Sequence, residues 1–417
     1  MEQFQISKKI IELAETASVD IEKSFKSIDE IAQVNTARVL AAFQRHRVSD
    51  SCFAGTTGYG YNDKGRDTLD LIFADILGTP AALVRTGFVS GTHAIATALF
   101  ASLRPGQTLL SVTGLPYDTL QGVIGISGDK KGSLKEYDIS YSQTELCDDS
   151  APDIDAIKEA LRNREVGAVF VQRSRGYSSR RALSVAEIGG ICDCVHSISK
   201  DTAVIVDNCY GEFTEINEPG DAGADVIAGS LIKNPGGGIA PAGGYVAGRE
   251  DIVEAAANRF SAPGIGSACG ASPDGYRLLY QGLFIAPHTV AQAMKTAVFC
   301  ARLFELLGYE THPKHDDVRS DIIQMIRFGD PQLLECFCKG IQSAAPVDSF
   351  ATPVAAEMPG YDHEVIMAAG TFVQGASIEL SADGPMREPY AAYLQGGLTF
   401  QSGKLGVMIA AQHIAAL

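Results

Sequence analysis

The strongest constraint on the fold is a pattern that repeats between residues 81 and 247, where a short apolar run is followed by a turn and then by a segment with helical periodicity. Runs that are apolar throughout fit strands buried on both faces, which requires helices on both sides of a mostly parallel sheet. The sequence therefore predicts an α/β domain. Its strands are predicted at residues 81–84, 109–112, 166–171, 203–206, 225–228 and 244–247, and its helices at 92–103, 154–161 and 185–196.

The length of 417 residues is too great for one small core, so a second domain is expected. We predict a helical arm over residues 1–50, a large domain over 51–285 and a smaller α+β domain over 286–417. The arm holds amphipathic helices between residues 4 and 46, which we expect to lie across another subunit. A long helix is predicted over residues 287–307, near the start of the smaller domain.

Charge and composition narrow the range of partners. A hydrophobic fraction of 46% describes a chain that buries much of itself. The formal net charge of −16, without a cluster of lysine and arginine, argues against a nucleic acid or an anionic membrane as partner. Small molecules and other protein subunits remain as expected partners.

The sequence also predicts the cellular location of the protein and the absence of a metal site. The N-terminus is polar and no run reaches the roughly 18 apolar residues of a membrane span. Nine cysteines without a Cys-x-x-Cys motif indicate a reducing compartment, so a cytoplasmic location is expected. The cysteine pairs at 192/194 and 336/338 lie in helical stretches, where the side chains of residues i and i+2 point in different directions. The histidines near 312–317 lie in a polar loop. We therefore expect no metal site.

One lysine, Lys233, lies between the apolar run at 226–230 and the three glycines Gly236 to Gly238. Burial lowers the pKa of an ammonium group, and a lysine with a lowered pKa can form a Schiff base with an aldehyde or ketone. A lysine that closes a strand before a glycine turn is also an ordinary structural feature. The reactive interpretation therefore depends on what else the sequence brings to the same place.

Two further segments carry polar groups to the ends of predicted elements. Ser90, Gly91 and Thr92 stand where a helix begins, so backbone amides, hydroxyls and the positive end of the helix dipole meet and can bind an anion. A plain N-cap formed by Ser90 or Thr92 is the alternative. Asp207 follows the strand at 203–206 and is expected at the carboxyl edge of the sheet, where ligands of open α/β sheets bind. A helix cap or an ion pair is the alternative for this carboxylate.

A glycine-rich loop over residues 54–66 contains Tyr59, Tyr61 and Arg66. Its arginine suits bidentate phosphate binding, although a surface crossing with incidental aromatic residues is the alternative. Walker-type loops, Gly-x-Gly-x-x-Gly and Gly-x-Ser-x-Gly are absent from the sequence. Nucleotide-dependent and serine-hydrolase functions therefore lose their usual support.

Taken together, these residues match the requirements of pyridoxal 5′-phosphate. The aldehyde of this cofactor binds a lysine, its pyridine nitrogen pairs with a carboxylate, its phosphate takes amides and hydroxyls, and its ring commonly lies under an aromatic side chain. The candidates in the same order are Lys233, Asp207, the Ser90-Gly91-Thr92 turn with Ser230, and Tyr117. On this interpretation Gly236 to Gly238 provide room for the cofactor and the substrate.

The chain resembles fold-type I pyridoxal-phosphate enzymes of cysteine and methionine metabolism, most closely the branch named for methionine gamma-lyase and aluminium resistance, which is cystathionine beta-lyase-like. The resemblance rests on Ser90-Gly91, Tyr117, Asp207, Ser230 and Lys233, and it extends over nearly the whole chain. It implies the same cofactor roles for those residues, with Tyr117 and Asp207 joining Lys233 in catalysis. It implies too that the loop at 54–66 reaches a neighbouring subunit's site in a homo-oligomer, a dimer or a tetramer built from two dimers.

The resemblance implies a substrate site as well. Arg387 is the candidate that binds the substrate carboxylate. Residues 173–177 stand where the wider group has an Asn-Pro turn that contacts the phenolic oxygen of the cofactor, and Arg175 and Tyr177 in this segment are further substrate-binding candidates. The wider group also has Tyr-Ser-Arg where this chain has Tyr59-Gly60-Tyr61.

The implied activity is cleavage of a carbon–sulfur bond in a sulfur-containing amino acid such as methionine or cystathionine, which releases a thiol, a keto acid and ammonia. A gamma-replacement transferase acting on an O-acylhomoserine, an aldolase-type enzyme and a cofactor-binding metal-tolerance protein without turnover are the alternatives.

Overall fold

The computed structural model describes residues 2–129, 131–163, 165–358, 361 and 363–417. Its helices are α1 (Lys8–Asp20), α2 (Glu22–Arg45), α3 (Lys64–Leu77), α4 (Gly91–Ser102), α5 (Asp118–Ile124), α6 (Ile154–Asn163), α7 (Val185–Ile198), α8 (Glu250–Phe260), α9 (Arg277–Leu306), α10 (Pro331–Ser343) and α11 (Phe400–Ala415). Its strands are β1 (Ala81–Arg85), β2 (Thr108–Ser111), β3 (Ser140–Gln143), β4 (Val166–Gln172), β5 (Ala203–Asp207), β6 (Val226–Ser230), β7 (Gly244–Gly248), β8 (Glu310–His312), β9 (Gln324–Arg327), β10 (Val365–Ala368), β11 (Ser381–Pro385) and β12 (Ala391–Gln395).

The large sheet has seven strands in the order β1-β7-β6-β5-β4-β2-β3. Strands β2 to β6 run parallel, while β7 is antiparallel to both of its neighbours. Strands β5, β6 and β7 are buried at every residue, as apolar runs covered by helices on both faces should be. The predicted α/β fold with a mostly parallel sheet is confirmed.

Strand β3 was not among the predicted strands. It reads Ser-Tyr-Ser-Gln and lies at the edge of the sheet with exposed or half-buried side chains. Because only one long side of this strand is hydrogen-bonded and no face of it is fully buried, its sequence lacks the apolar run that marked the other strands.

A smaller antiparallel sheet of five strands, in the order β10-β11-β12-β9-β8, follows in the C-terminal part of the chain. Helices α10 and α11 pack against each other, and α10 covers β10 and β11. This confirms a smaller C-terminal α+β unit. The exact domain limits stay predictions, and residue 286 lies inside α9, which begins ten residues before the predicted helix start at 287 and contains Pro287 in its interior.

The N-terminal arm packs on its own chain. Helix α2 lies along α9, and α1 contacts both α9 and α11. Ile10 and Val39 are fully buried, and the buried Asn35 donates hydrogen bonds to the carbonyl oxygens of Phe213 and Glu215 at 3.2 and 2.9 Å. One apolar side of the arm is thus covered inside the chain, while Val19, Val34 and Leu40 stay exposed, so the predicted contact of the arm with another subunit stays a prediction.

The helices next to the site begin at the sequence signals expected of them. Ser90 caps α4 by accepting a hydrogen bond from the amide of His93 at 3.1 Å. Ser184 and Glu187 form a reciprocal capping box at the start of α7. In the described part of the chain, no helix is both long enough and apolar enough to cross a bilayer.

Candidate active site

A cavity of about 370 Å³ opens at the carboxyl ends of three neighbouring strands of the large sheet. Gln172 ends β4, Asp207 ends β5 and Ser230 ends β6, and all three line the cavity. The opposite wall comes from the C-terminal sheet and the segment before it, including Asp383 and Gln395. The cavity thus lies where ligands of open α/β sheets bind, and it is closed by the second domain.

Lys233 projects into this cavity three residues after β6 ends. Its Nζ atom lies 3.9 Å from the centre of the Tyr210 ring, within cation–π distance. Burial lowers the pKa of Lys233, but the acidic groups of Cys209, Tyr210 and Asp207 together raise its pKa well above the ordinary value of a lysine. The expectation that burial leaves Lys233 with a lowered pKa is therefore wrong for the protein chain itself, because that expectation ignored the acidic groups around the amine.

Asp207 is buried at the end of β5, and the amide of Cys209 donates a 3.0 Å hydrogen bond to its Oδ1 atom. Burial raises the pKa of Asp207, while the charge of Lys233 and the Cys209 amide lower it. The carboxylate is thus oriented by the backbone and is close enough to Lys233 for their charges to interact.

Tyr117 lies beside the start of α4. Its hydroxyl is 3.3 Å from the Oγ1 atom of Thr92, and its backbone amide donates a 2.9 Å hydrogen bond to Oε1 of Gln172. Burial and the nearby Asp207 raise the pKa of Tyr117 well above its ordinary value. Tyr117 is therefore protonated at neutral pH.

The start of α4 faces the end of β6. Ser90, Gly91, Thr92 and Ser230 all line the cavity. The first amides of a helix have no acceptor inside the helix, so those of Gly91 and Thr92 are available to an anion. Ser90 is also the N-cap, so the capping interpretation is confirmed, while anion binding at this turn stays a prediction.

Gly91 lets this helix start come close to the sheet. A Cβ atom at residue 91 would lie 3.2 Å from Cβ of Ser230 and 3.4 Å from Sγ of Cys209. The four cavity-lining residues Ser90, Gly91, Thr92 and Ser230 therefore form a tight cradle of hydroxyls and amides, in which a larger side chain at position 91 would occupy space.

A family model described as methionine gamma-lyase matches residues 10–415. The chain belongs to the methionine gamma-lyase family. A carbon–sulfur lyase involved in aluminium resistance from Clostridium novyi NT is 51% identical, with 99% of this chain and 97% of that chain covered and a TM-score of 0.95. A proposed cystathionine beta-lyase involved in aluminium resistance from Clostridium acetobutylicum is 52% identical over the same shares, also with a TM-score of 0.95. The uncharacterized protein YnbB of Bacillus subtilis (strain 168) is 49% identical over 396 residues, which are 95% of this chain and 94% of YnbB.

Members of the methionine gamma-lyase family are fold-type I enzymes that use pyridoxal 5′-phosphate, and the predicted fold class and cofactor are confirmed. The residues in the cavity fit this group. The cradle at Gly91 offers amides and hydroxyls of the kind a phosphate takes, Lys233 offers an amine for the aldehyde, and Asp207 offers a carboxylate for the ring nitrogen. Tyr117 lies beside that cradle and offers an aromatic face.

Several residues predicted for the site lie elsewhere in the chain. Tyr59 and Tyr61 are 72% and 63% exposed, stack at 5.5 Å between ring centres, and do not line this chain's own cavity. Arg387 is exposed on the turn between β11 and β12 and does not line the cavity either. The interpretation of these three residues as cofactor or substrate ligands stays a prediction.

Two predicted arginine ligands are held inside the protein instead. Arg66 is 2% exposed and donates hydrogen bonds to the carbonyl of Gly60 at 2.9 Å and to Asp67 at 2.8 Å, so it fixes the glycine-rich loop rather than offering its guanidinium to a phosphate. Arg175 is 1% exposed and donates to the carbonyl of His312 at 2.8 Å, behind the cavity wall. Sequence alone could not show that both guanidinium groups turn inward.

The glycines after Lys233 also have a different role from the predicted one. A Cβ atom at Gly236 would lie 1.8 Å from the carbonyl oxygen of Leu231, and one at Gly237 would lie 2.4 Å from that of Gly282 in α9. None of the three glycines lines the cavity. Gly237 lets the chain pack against α9, Gly236 lets the turn close on the carbonyl of Leu231, and Gly238 makes space for the side chain of Leu398, so the three glycines serve packing and do not line the cofactor cavity.

The structure adds residues to the site that sequence reasoning missed. Gln172 could have been found, because it ends a predicted strand next to the one that ends at Asp207. Tyr177 was predicted and does line the cavity, beside the missed residues Tyr210 and Asp383. Among the described residues, no three histidine, cysteine, aspartate or glutamate side chains are grouped so that they could hold a metal ion.

Proposed function

We propose that this protein is a pyridoxal-phosphate-dependent lyase that cleaves a carbon–sulfur bond of a sulfur-containing amino acid and releases a thiol, a keto acid and ammonia. The observation that carries the proposal is that Lys233, Asp207, Tyr117 and the start of α4 line one cavity. Family membership supports the same reaction class.

Each of these residues has a chemical task in such a reaction. When bound, pyridoxal 5′-phosphate supplies an electron sink for negative charge at the substrate Cα atom. The amine of Lys233 removes and returns protons at that atom, and the ring of Tyr210 holds the amine in place when it is protonated. The carboxylate of Asp207 holds a proton at the ring nitrogen. Tyr117 lines the same cavity and is the proposed proton donor to the departing sulfur.

The substrate is proposed from the same reasoning and from two structural relatives. One of these relatives is named a carbon–sulfur lyase and the other a proposed cystathionine beta-lyase, while the family is named for cleavage at the gamma position. Cleavage at the beta carbon leaves pyruvate, and cleavage at the gamma carbon leaves 2-oxobutyrate. Product analysis therefore decides between the two positions.

The test is turnover of a panel of sulfur amino acids by purified protein supplied with pyridoxal 5′-phosphate. Cystathionine, methionine, cysteine and homocysteine are incubated separately, and thiol, ammonia and keto acid are measured together. The proposal expects the three products in equal amounts from at least one member of the panel. Lys233→Ala should reduce the rate by about 10²-fold to 10⁴-fold, the usual range for a general acid–base group.

The control is Lys8→Ala, since the side chain of Lys8 is 90% exposed on α1. Its rate should equal that of the unmodified protein. Homocysteine formed from an O-acylhomoserine and sulfide, without keto acid from any thioether, would show a replacement transferase instead. Cofactor binding with no product from either assay would contradict both enzymatic functions and leave the binding protein without turnover.

We also infer that the protein is a homo-oligomer, as fold-type I enzymes typically are. Tyr59 and Tyr61 support this inference because they are exposed aromatic residues on a loop that Arg66 and Asp63 hold in a fixed shape. An ordered loop that presents two stacked tyrosines to the outside suits a contact with a second subunit.

A further inference from the structure

The C-terminal wall of the cavity carries buried polar atoms without hydrogen-bond partners. Among the described residues, Oδ1 of Asp383 and the hydroxyl oxygens of Ser377 and Ser381 are shielded from solvent and unpartnered, and all three residues line the cavity. Buried polar atoms are normally hydrogen-bonded, because an atom left without a partner has lost its hydration with nothing to replace it. Three of them on one wall indicate a surface built to contact a ligand.

Asp383 is held in a fixed orientation on β11. Its Oδ2 atom accepts a 3.1 Å hydrogen bond from Nε2 of Gln395, and its carboxyl group is also hydrogen-bonded by the side chain of Tyr177. These donors hold the carboxyl group, and its Oδ1 atom remains available. When it is ionised, Asp383 therefore presents an acceptor to whatever lies in the cavity.

The surroundings of Asp383 favour a cation. Among the described residues that line the cavity, Lys233 is the only lysine and there is no arginine, and Lys233 is already committed to the cofactor. Burial raises the pKa of Asp383 to about 7, although Tyr177, Gln395 and Lys233 lower it. A positive ligand beside Asp383 would favour the ionised carboxylate. A carboxylate of the substrate would be repelled from this wall.

Aromatic rings complete the wall. The ring of Tyr177 lies 5.8 Å from that of Tyr361 and 5.2 Å from that of Tyr393, and all three residues line the cavity. Tyrosine faces beside a carboxylate are a recurrent way of binding an ammonium group. A plain apolar pocket for a methylthio group would need neither the carboxylate nor the two unpartnered hydroxyls.

We propose that Asp383, with the three tyrosines and the hydroxyls of Ser377 and Ser381, binds a protonated amine on the far side of the substrate's sulfur atom. The substrate class is then a thioether amino acid that carries a second amino group. This inference rests on the proposed lyase function for the position of the sulfur. The substrate's own α-amine is excluded as the ligand of Asp383, since it must react at the cofactor beside Lys233.

Two substrates of equal size test this subsite. S-(2-aminoethyl)cysteine carries an ammonium group where S-propylcysteine carries a methyl group, and both present the same carbon–sulfur bond. The ratio of their kcat/KM values should favour the amine by about tenfold or more, as a hydrogen bond to a charged group of about 1.5–3 kcal/mol predicts. In Asp383→Asn the ratio should fall towards one. In the control Asp155→Asn, whose side chain is 93% exposed, the ratio should not change.

Binding provides a readout that does not need turnover. The Kd values of both compounds are measured by calorimetry on Lys233→Ala protein supplied with pyridoxal 5′-phosphate, and on the same protein with Asp383→Asn added. If S-(2-aminoethyl)cysteine binds with a lower Kd than S-propylcysteine but the unmodified protein turns over neither compound, the lyase function is refuted and the subsite is supported. Turnover of both compounds with equal kcat/KM and equal Kd would refute the subsite and support the lyase.

Discussion

The amine of Lys233 and the ring of Tyr210 form a contact that has a direct role in the proposed chemistry. Their separation is 3.9 Å, and Tyr210 adopts a left-handed backbone conformation with φ of 72°. A bulky residue in this region is strained and persists only where its surroundings hold it in place. We interpret the strain as the consequence of directing the Tyr210 ring under Lys233.

Replacing the ring tests this interpretation. Tyr210→Leu should lower kcat by about threefold to thirtyfold, because a desolvated cation–π contact contributes about 0.5–2 kcal/mol. Tyr210→Phe keeps the ring face and should retain kcat within about threefold. KM should change little in both variants, since the contact acts on the proton-transferring amine and not on the substrate. An equal loss of kcat in both variants would assign the effect to the hydroxyl and contradict the ring contact.

The ionisation of Asp383 predicts a pH dependence of substrate choice. The pKa of Asp383 is raised to about 7, so its carboxyl is largely neutral below that pH and ionised above it. The titratable groups that face it are Tyr177, Tyr361, Tyr393, Cys338 and Lys233. Burial raises the pKa of Tyr361 to about 12 and raises the pKa values of Tyr177, Tyr393 and Cys338 above their ordinary values. The pKa of Lys233 is also raised, so none of these groups titrates in this window. The preference for S-(2-aminoethyl)cysteine over S-propylcysteine should therefore rise several-fold between about pH 6 and about pH 8.

Taking the ratio of kcat/KM for the two compounds cancels pH effects that they share. The rise should be absent in Asp383→Asn, which carries no titrating carboxyl at this position. A preference that stays flat with pH in the unmodified protein would contradict the role of the ionised carboxylate.

At the scale of elements, the close approach of α4 to β6 creates the cradle that we propose for the phosphate. Gly91→Ala adds a Cβ atom 3.2 Å from Cβ of Ser230, and overpacking of this kind costs about 1–3 kcal/mol. The Kd for pyridoxal 5′-phosphate, measured by titrating cofactor-free protein and following absorbance, should increase by about tenfold or more.

Gly190→Ala is the matched control. Gly190 also lies in a helix, α7, but an added Cβ atom there meets no other atom within 4 Å. This variant should bind the cofactor as the unmodified protein does and unfold at an equal or slightly higher temperature, because alanine favours the helix. Equal cofactor affinity in both variants would show that the cradle at Gly91 does not hold the phosphate.

The ends of strands and helices also explain which site residues could be predicted from the sequence alone. Asp207, Ser230 and the Ser90-Gly91-Thr92 turn were predictable from the sequence. The end of an apolar run marks the end of a strand, and a capping residue marks the start of a helix. Since parallel strands end at the same edge of a sheet, these residues were expected to lie near one another. Lys233 followed from the same rule, since it comes three residues after the end of β6.

The C-terminal wall could not be predicted in this way. Asp383 lies on a short antiparallel strand without an apolar run, and it reaches the cavity only because the two sheets pack together. The sequence also gives no sign of whether a guanidinium faces a ligand or the core, which is why Arg66 and Arg175 were misplaced. Both limits arise from long-range packing, which local patterns do not encode.

At the scale of the whole molecule, the exposed loop with Tyr59 and Tyr61 predicts that sites are shared between subunits. Tyr59→Ala and Lys233→Ala should each be inactive alone, because one lacks the contributed loop and the other the reactive amine. When the two variants are mixed and allowed to exchange subunits, hybrid dimers should restore about a quarter of the unmodified activity.

The control mixture combines Lys233→Ala with Asp207→Ala, which both alter the site of their own chain. No hybrid of these two contains an intact site, so activity should not return. If the mixture with Tyr59→Ala also stays inactive, or if Tyr59→Ala is fully active alone, the shared site is wrong.

The central claim is that Lys233 anchors pyridoxal 5′-phosphate in the cavity between the two sheets. It is tested most directly by reducing the cofactor-loaded protein with borohydride, digesting it, and locating the bound cofactor by mass spectrometry. The account predicts one labelled peptide, with the reduced cofactor attached to Nζ of Lys233, and no label in Lys233→Ala. A label on another lysine, or none after reduction of protein that has bound the cofactor, would contradict it.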